Sequence, residues 1–412
     1  MLIFIIFLGM LFTFKNDYSF IEKNSNGSQK EQILDEYQVC TGFIYHIWFI
    51  KDQAYGDTDE IFLGSIWDVD VDSEGRVYIA DAGNVTIHVY DSDGSYFTSI
   101  GQQGRGPGEF LHVTHHTKIH INHNKLFVTG TEWIFSDKVQ VFSLHDLSFS
   151  HEIIFDESDK KAFDQELENY FPKKVTPLEN EHLLVSYEYV RSPEYLERDE
   201  NKIMYYLHDK NGKIVTGPVL EQKDRTYLYL VYNGRGYNYY AFPFFAKSIF
   251  TVSDDGYLYS AFSDAFRIDV RTPNGKLVRT IEHSFDNITT SRRELIQKYE
   301  GIDMSRLDFN EGDDVALQMI READNLPESW PALNDLLIDD ENRLWVSTIV
   351  EDFDIYEWWV LEETGELITR FEWPRDEPIE VVKNGYMYTR ETDEETGLQQ
   401  VVRYRIEMTE AE

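Results

Sequence analysis

A hairpin pattern that recurs six times along the chain constrains its fold more than any other feature. Each copy is an apolar strand, a tight polar turn and a second strand in which an aromatic or large apolar residue lies between apolar ones. The turns are centred on Gly75, Asn124, Glu181, Gly256, Asn342 and Gly385. Short strands joined by tight turns are typical of all-β proteins, and units of about 40–50 residues are typical of four-stranded propeller blades. The six copies therefore predict an all-β, six-bladed β-propeller with insertions where the spacing is longer.

A second hairpin follows most copies and completes a blade of four strands. Its turns include Asp93-Gly94, Asn211-Gly212, Asn274-Gly275 and Thr364-Gly365. Asn-Gly and Asp-Gly pairs adopt the positive φ that tight hairpins require. Two hairpins in each unit therefore account for four antiparallel strands.

The sixth copy is one strand short. After its first hairpin, only Val401–Met408 remains as a strand before the chain ends. A closed ring leaves no edge unpaired, and an apolar, aromatic strand is present at the other end of the chain, in Phe43–Ile50. We therefore expect an N-terminal strand to close the ring, within a propeller that spans residues 43–408.

The amino terminus begins with an uncharged apolar run, Leu2–Phe14. A membrane-spanning helix requires about 20 such residues, whereas the apolar part of a secretory signal requires about 7–15. We interpret residues 1–20 as a signal-peptide-like or membrane-anchor segment and 21–42 as a linker. This predicts export to the periplasm, cell surface or extracellular space; cleavage and a membrane tether through this segment are left open.

The stretch Val71–Phe110 carries Asp-x-x-Gly-x-apolar-Tyr-apolar-x-Asp and ends in Ile-Gly-x-x-Gly-x-Gly-x-Gly-x-Phe. In these motifs it resembles the NHL-type repeats of six-bladed β-propellers. In the fourth copy Ser253 stands where the repeat has Asp. The chain looks like the exported bacterial propellers of this type, many of which have no assigned activity. Some NHL-type propellers are amidating lyases or lactonases, so the resemblance implies a fold without deciding between binding and catalysis.

The insertions are predicted to crowd one face of the ring. Every turn within the first hairpins is tight, whereas the long segments fall in the links between blades and in the loops between second and third strands, which share the other face. The largest, at about 286–330 between blades 4 and 5, has helical character, with Ser291 and Glu294 placed as a capping box. One-sided insertions favour a binding surface or lid, although a rim that merely tolerates insertions stays open.

The charge excludes one class of partner. The chain has 38 Lys and Arg against 75 Asp and Glu, a net charge of −37. Such a field repels phosphate backbones, so nucleic acid is not an expected partner. A single cysteine also excludes an internal disulfide.

Residues at the start of each innermost strand are the first candidates for a site. When the copies are aligned on their turns, these positions are mostly polar and of mixed charge. They include Asp68, His116, Lys173, Asn334, Asp335 and Glu377. The Tyr-rich link between blades 3 and 4 adds Arg235 and Tyr237, which could grip a carboxylate or stack on a sugar.

Metal binding is not the preferred interpretation of these residues. Acidic oxygens on this rim suit Ca²⁺, but Lys173 and Lys174 oppose a cation. Five histidines lie between His112 and His123, yet no three histidines from separate blades are expected to meet. We expect no cofactor, with Ca²⁺ or Zn²⁺ left open.

Together these features predict a non-enzymatic binding module. It would recognise a small ligand, a sugar, a peptide or a protein partner through the insertion-bearing face. The alternative is a propeller enzyme, a metal-dependent lyase or lactone hydrolase, with its site at the channel mouth.

Overall fold

The computed structural model describes residues 19–20, 32–33, 36–38, 45–58, 61–132, 138–178, 181–189, 201–232, 236–300, 313–393 and 396–410. For 19–20, 32–33, 36–38, 230–232, 236–238 and 313–314 it describes the backbone only. The predicted apolar run Leu2–Phe14 lies outside these residues. In the described part of the chain, no helix is long and apolar enough to cross a membrane.

The described chain forms six four-stranded antiparallel sheets arranged as the blades of a propeller, which confirms the predicted fold. Their strands, from the centre outward, are as follows. Blade 1 consists of Ile66–Val71, Val77–Asp81, Thr86–Tyr90 and Tyr96–Ile100. Blade 2 consists of Lys118–Asn122, Lys125–Thr129, Lys138–Ser143 and Phe149–Ile154. Blade 3 consists of Tyr170–Pro177, Leu183–Tyr189, Lys202–His208 and Ile214–Lys223.

The other three blades follow the same order. Blade 4 consists of Ser248–Val252, Leu258–Phe262, Arg267–Arg271 and Leu277–Glu282. Blade 5 consists of Leu333–Ile338, Leu344–Ile349, Ile355–Leu361 and Leu367–Pro374. Blade 6 consists of Ile379–Lys383, Tyr386–Thr392, Gln399–Glu410 and, from the other end of the chain, Tyr45–Tyr55.

Burial follows position within a blade. In blade 1, both middle strands are buried at every residue, whereas the outermost strand Tyr96–Ile100 alternates between partly buried and exposed residues and is fully buried only at Ile100. Middle strands are covered on both faces because neighbouring blades pack against them. In blade 1 they are therefore mostly Val, Ile, Ala and Tyr, with Asp81, Thr86 and His88 as buried polar residues. The core accordingly lies between adjacent blades rather than at the centre of the ring.

The N-terminal strand closes the ring, as the sequence predicts. Tyr45–Tyr55 pairs antiparallel with Gln399–Glu410 along almost its whole length. Glu36–Gln38 then adds a fifth strand outside it, which the sequence did not indicate. Phe49 is buried in the closing strand, and its ring centroid lies 4.6 Å from Phe371 and 5.5 Å from Trp373 of blade 5. The closing strand therefore joins both ends of the chain to a neighbouring blade.

The insertion between blades 4 and 5 contains two helices, Arg292–Tyr299 and Asp313–Glu322. The Ser291 side chain accepts a hydrogen bond from the backbone N–H of Glu294, as the capping box predicts. Both helices pack on the Tyr- and Phe-rich link between blades 3 and 4. The shared core includes Phe242, Phe244, Leu295, Tyr299, Leu317, Ile320 and Trp330.

Three short elements were not predicted. A helix at Glu157–Phe163 and a 3-10 helix at Gln165–Asn169 occupy the link between blades 2 and 3. A hairpin of Leu228–Tyr232 and Gly236–Tyr240 projects from the link between blades 3 and 4. All three lie in segments that the sequence identified only as long insertions.

A buried aspartate holds the first hairpin in two blades. In blade 5, Asp339 accepts hydrogen bonds from the backbone N–H groups of Glu341 at 3.0 Å and Arg343 at 2.8 Å. Its other oxygen accepts from Arg343 Nε at 2.7 Å and Trp345 Nε1 at 2.9 Å. Asp72 makes the corresponding contacts with Glu74, Arg76 and Tyr78 in blade 1. In blade 4, the Ser253 hydroxyl accepts from the Tyr257 N–H at 3.0 Å, so the turn persists there without the arginine.

Candidate functional site

The six innermost strands line a channel along the axis of the ring. Its cavity has a volume of about 340 Å³ and is lined by every blade. The residues around its wall include Asp68, Lys118, Lys174, Phe250, Asp335 and Glu380, in order from blade 1 to blade 6. At the start of the inner strands, carboxylates thus lie on blades 5, 6 and 1 and lysines lie on blades 2 and 3. At the other end of these strands the channel is lined by Asp254 of blade 4 and Lys383 of blade 6. Charge is therefore separated across the ring only at the insertion-bearing end of the channel.

β-Bulges place several of these side chains. The register between the first and second strands shifts in blade 1 between Ile66 and Asp68, and in blade 5 between Leu333 and Asp335. Similar shifts occur in blade 3 before Val175 and in blade 6 before Val381. An extra residue in one strand reverses which side chains face which side. The bulges therefore allow polar side chains to face the channel just above an apolar core.

Asp68 joins blade 1 to blade 2. One carboxylate oxygen accepts a hydrogen bond from Lys118 Nζ at 2.5 Å, and the other accepts from the backbone N–H of Ile119 at 2.8 Å. Burial lowers the pKa of Lys118, but the charge of Asp68 and its hydrogen bond outweigh burial and raise this pKa overall. The Lys118 side chain nevertheless keeps 49% of its surface accessible, because it faces the open channel. Both oxygens of Asp68 are therefore engaged within the protein.

Deeper in the channel, Asp70 repeats this contact between blades. Its carboxylate accepts from the backbone N–H of Ile121 at 2.6 Å and from that of Val71 at 2.7 Å. Burial raises the pKa of Asp70 to about 6, although Lys383 and these hydrogen bonds act in the opposite direction. Burial also lowers the pKa of His120, on the neighbouring strand, to about 4. Burial at this depth of the channel therefore favours the uncharged form of both side chains.

A second cavity, of about 480 Å³, opens on the insertion-bearing face beside blades 3 and 4. It shares Lys174, Phe250 and Asp335 with the channel. Charged side chains around it are Lys173, Lys174, Arg225 and Lys247, against Glu188, Asp224 and Asp335. In a chain whose acids outnumber its bases almost two to one, this slight excess of cations is local. We call this second cavity the rim cavity.

Two lysines of the rim cavity, Lys174 and Lys247, form no ion pair with any residue that the structure describes. Within the described residues, no carboxylate oxygen lies within 4.0 Å of the Nζ of Lys174 or Lys247. Burial lowers the pKa of Lys174, and the charge of Asp335 partly offsets this effect. Burial likewise lowers the pKa of Lys247, again against the charge of Asp335. The surrounding protein therefore disfavours the charge of both ammonium groups, although Lys174 is exposed to the open cavity and Lys247 is only half-buried.

Aromatic rings form part of the rim cavity wall. Tyr205 and Phe250 are buried, and their ring centroids lie 4.7 Å apart. Tyr227 and Tyr239 meet edge to face at 5.7 Å on the side of the hairpin. The Nζ of Lys174 lies 5.9 Å from the centroid of Phe250. The cavity thus combines cationic groups with flat apolar surface.

The structure brings four of the sequence-predicted residues to these cavities. His116 and Lys173 line the rim cavity, where Lys173 Nζ lies 3.3 Å from His116 Nδ1. Asp68 lines the channel, and Asp335 lines both cavities. These placements agree with the predicted polar rim but do not test binding.

The other four predicted residues are placed differently or are not described. Asn334 and Glu377 line neither cavity; Asn334 Nδ2 lies 3.5 Å from Ser347 Oγ, and the Glu377 carbonyl accepts from Trp373 Nε1 at 2.7 Å. Arg235 lies outside the described residues. Tyr237 belongs to the strand Gly236–Tyr240, but its side chain also lies outside them.

Sequence reasoning missed Lys247 and Glu380. Lys247 lies in the link before blade 4, outside the aligned hairpin, and Glu380 is shifted in register by the bulge of blade 6. Their charge alone did not distinguish them in a chain in which 27% of residues are charged. No group of three His, Cys, Asp or Glu residues among those described is arranged to hold a metal ion.

Comparisons with known proteins agree with this architecture. The model of a family described as 6-bladed beta-propeller, DUF5128, matches residues 22–266. A member of the DUF4221 family from Bacteroides vulgatus is similar in structure, with a TM-score of 0.50 and 10% identity over 89% of this chain and 99% of that one. A protein of unknown function from Bacteroides thetaiotaomicron has a TM-score of 0.44 and 10% identity over 94% of this chain and 87% of that one. No curated protein matches the sequence.

Proposed function

Because the chain belongs to the DUF5128 family of six-bladed β-propellers, a fold that hosts many unrelated functions, we propose its function from the rim cavity. The chain is a binding module that takes a small carboxylate-bearing ligand on its insertion-bearing face. That the blades are NHL-type repeats stays a prediction.

One observation carries the proposal: Lys174 and Lys247 face one cavity without an acidic partner in the described chain. Lys174 is exposed to the open cavity and Lys247 is half-buried, so a ligand that enters the cavity can reach both residues. The surrounding protein partly desolvates both ammonium groups and lowers their pKa values, and a nearby anion reduces this cost. A bound carboxylate would accept charge-assisted hydrogen bonds from both groups, so binding would relieve the cost at two positions together.

The rest of the cavity supports a small organic ligand rather than a bare ion. Its volume of about 480 Å³ lies in the range of about 300–1,000 Å³ found for small-molecule sites. Tyr205 and Phe250 supply apolar surface for the body of the ligand. Lys173 and Arg225 also line this cavity, together with the acidic residues Glu188 and Asp224.

The test compares the binding of carboxylates with the binding of their uncharged analogues. We expect benzoate, D-glucuronate or N-acetyl-L-phenylalanine to bind in calorimetry, and benzamide, D-glucose and N-acetyl-L-phenylalaninamide to bind at least tenfold more weakly. The double variant Lys174→Met, Lys247→Met should lower carboxylate affinity roughly 100-fold or more, because two charge-assisted hydrogen bonds are lost.

Lys210→Met is the matched control. Lys210 is exposed on the face of the tight turns and pairs with Glu181 at 3.1 Å, so its loss should leave affinity unchanged. If no carboxylate binds the wild-type protein, or if the double variant binds as tightly as Lys210→Met, the proposal is wrong.

We further propose that this module acts outside the cytoplasm, because the apolar run Leu2–Phe14 has the length of a secretory signal. Fractionation of cells that express the full chain should recover it with periplasmic, surface or extracellular markers. Recovery with cytoplasmic markers would contradict export.

A further inference from the structure

Asp335 introduces a negative pole into the rim cavity. It lies on the innermost strand of blade 5 and faces both the channel and the rim cavity. One of its oxygens accepts a hydrogen bond from the backbone N–H of Leu336 at 2.9 Å. In the described part of the chain, no lysine, arginine or histidine nitrogen lies within 4.0 Å of its carboxylate. The rim cavity is therefore lined by one carboxylate and two ammonium groups that form no contact ion pair with any described residue.

A backbone hydrogen bond to a serine hydroxyl anchors each of these three charged residues. The N–H of Lys174 donates to Ser186 Oγ, that of Lys247 to Ser263 Oγ and that of Asp335 to Ser347 Oγ, each at 2.9 Å. The three serines lie in or directly after the second strands of blades 3, 4 and 5. These bonds anchor the backbone of the three residues at three different blades, and in this structure the opposite charges act on each other through space without forming a contact ion pair.

This separation selects among ligands that carry a carboxylate. A dianion would place its second charge near Asp335 and be repelled. A simple carboxylate would satisfy the lysines and leave Asp335 without a cation. A molecule that carries a carboxylate and an ammonium group a few ångströms apart would complement all three residues.

We propose that the ligand is a zwitterion, an α-amino acid or a dipeptide with an apolar or aromatic side chain. Its carboxylate lies between Lys174 and Lys247, and its ammonium group lies at Asp335. Its side chain packs on the wall formed by Tyr205 and Phe250. This inference rests on the proposed function, because it names the ligand class for the same cavity.

The experiment compares L-phenylalanine and glycyl-L-phenylalanine with N-acetyl-L-phenylalanine, which keeps the carboxylate and lacks the ammonium group. In calorimetry on the full chain, we expect at least one zwitterion to bind roughly 10- to 100-fold more tightly than the acetylated compound. L-Phenylalaninamide, which keeps only the ammonium group, should also bind more weakly than that zwitterion.

The variant Asp335→Asn has opposite expected effects on the two ligand types. It should lower the affinity for the zwitterion by roughly 10-fold or more. The affinity for N-acetyl-L-phenylalanine should stay unchanged or rise a few-fold, because a charge that repels the carboxylate is removed. Asp254→Asn is the matched control, since Asp254 lines the channel at the opposite mouth, and it should change neither affinity. A thermal melt of each variant shows whether the fold is retained.

The outcomes separate this inference from the proposed function. If N-acetyl-L-phenylalanine binds as tightly as both zwitterions, or if Asp335→Asn weakens all ligands equally, the zwitterion inference is overturned while carboxylate binding stands. If none of these carboxylates binds, carboxylate binding and the zwitterion inference are both overturned.

Discussion

Replacing Asp339 with alanine is expected to lower the free energy of unfolding by about 3–5 kcal/mol. Asp339 is 2% exposed, and its two oxygens accept the four hydrogen bonds that hold the first hairpin of blade 5. Alanine would leave the Trp345 indole N–H without its acceptor in the core and the Arg343 guanidinium without its buried partner. Urea unfolding, monitored by tryptophan fluorescence, measures this loss of free energy.

Glu341→Ala is the control for this substitution. Glu341 contacts the same guanidinium at 3.0 Å, but its side chain is 61% exposed. An exposed ion pair of this kind contributes about 0–1 kcal/mol. The difference between the two variants in free energy of unfolding therefore measures what the buried contacts of Asp339 contribute. A loss under about 1 kcal/mol in Asp339→Ala would show that the network does not stabilise the blade.

Replacing Phe49 with alanine is expected to lower the free energy of unfolding by about 3–5 kcal/mol as well. The ring is buried among Phe371 and Trp373, so its removal leaves a cavity where blade 6 meets blade 5. The effect should be local, since Phe49 belongs to the strand that closes the ring. Hydrogen–deuterium exchange should therefore speed up first in Tyr45–Tyr55 and in its partner Gln399–Glu410.

Lys51→Ala is the matched control in the same strand. Lys51 is exposed and lies 3.8 Å from Glu391, so we expect a change within about 0.5 kcal/mol. Equal protection of the closing strand in Phe49→Ala and in the wild-type protein would contradict the role assigned to Phe49.

Most of the fold could be predicted because its signals are local. Asn274-Gly275 and the other hairpin turns specify antiparallel neighbours within a few residues. The missing strand of the sixth blade followed from the need to pair the edge of Val401–Met408. The fifth strand Glu36–Gln38 and the helix Glu157–Phe163 did not follow, because short segments carry too little periodicity to be recognised.

The candidate site could be predicted only in part. Asp335 and Lys173 were found because alignment on the turns brought the starts of the inner strands together. That alignment placed Glu377 at the rim, whereas the structure places Glu380 in the channel wall. The bulge in blade 6 lies between the turn and the rim, so counting back from the turn gives the wrong residue there.

The sequence by itself determined the number of blades, their strand order and the closure of the ring. Hairpin turns and alternating apolar residues act between residues close in the chain, and the unpaired edge of the last blade requires a strand to pair with it. Tertiary structure alone decided which charges meet. Lys174 and Asp335 lie on blades 3 and 5 and Lys247 lies in the link before blade 4, and whether they pair or stay apart depends on the distances between their side chains. Those distances are set by bulges and by serine hydroxyls that hold backbone N–H groups, and no spacing along the chain encodes them.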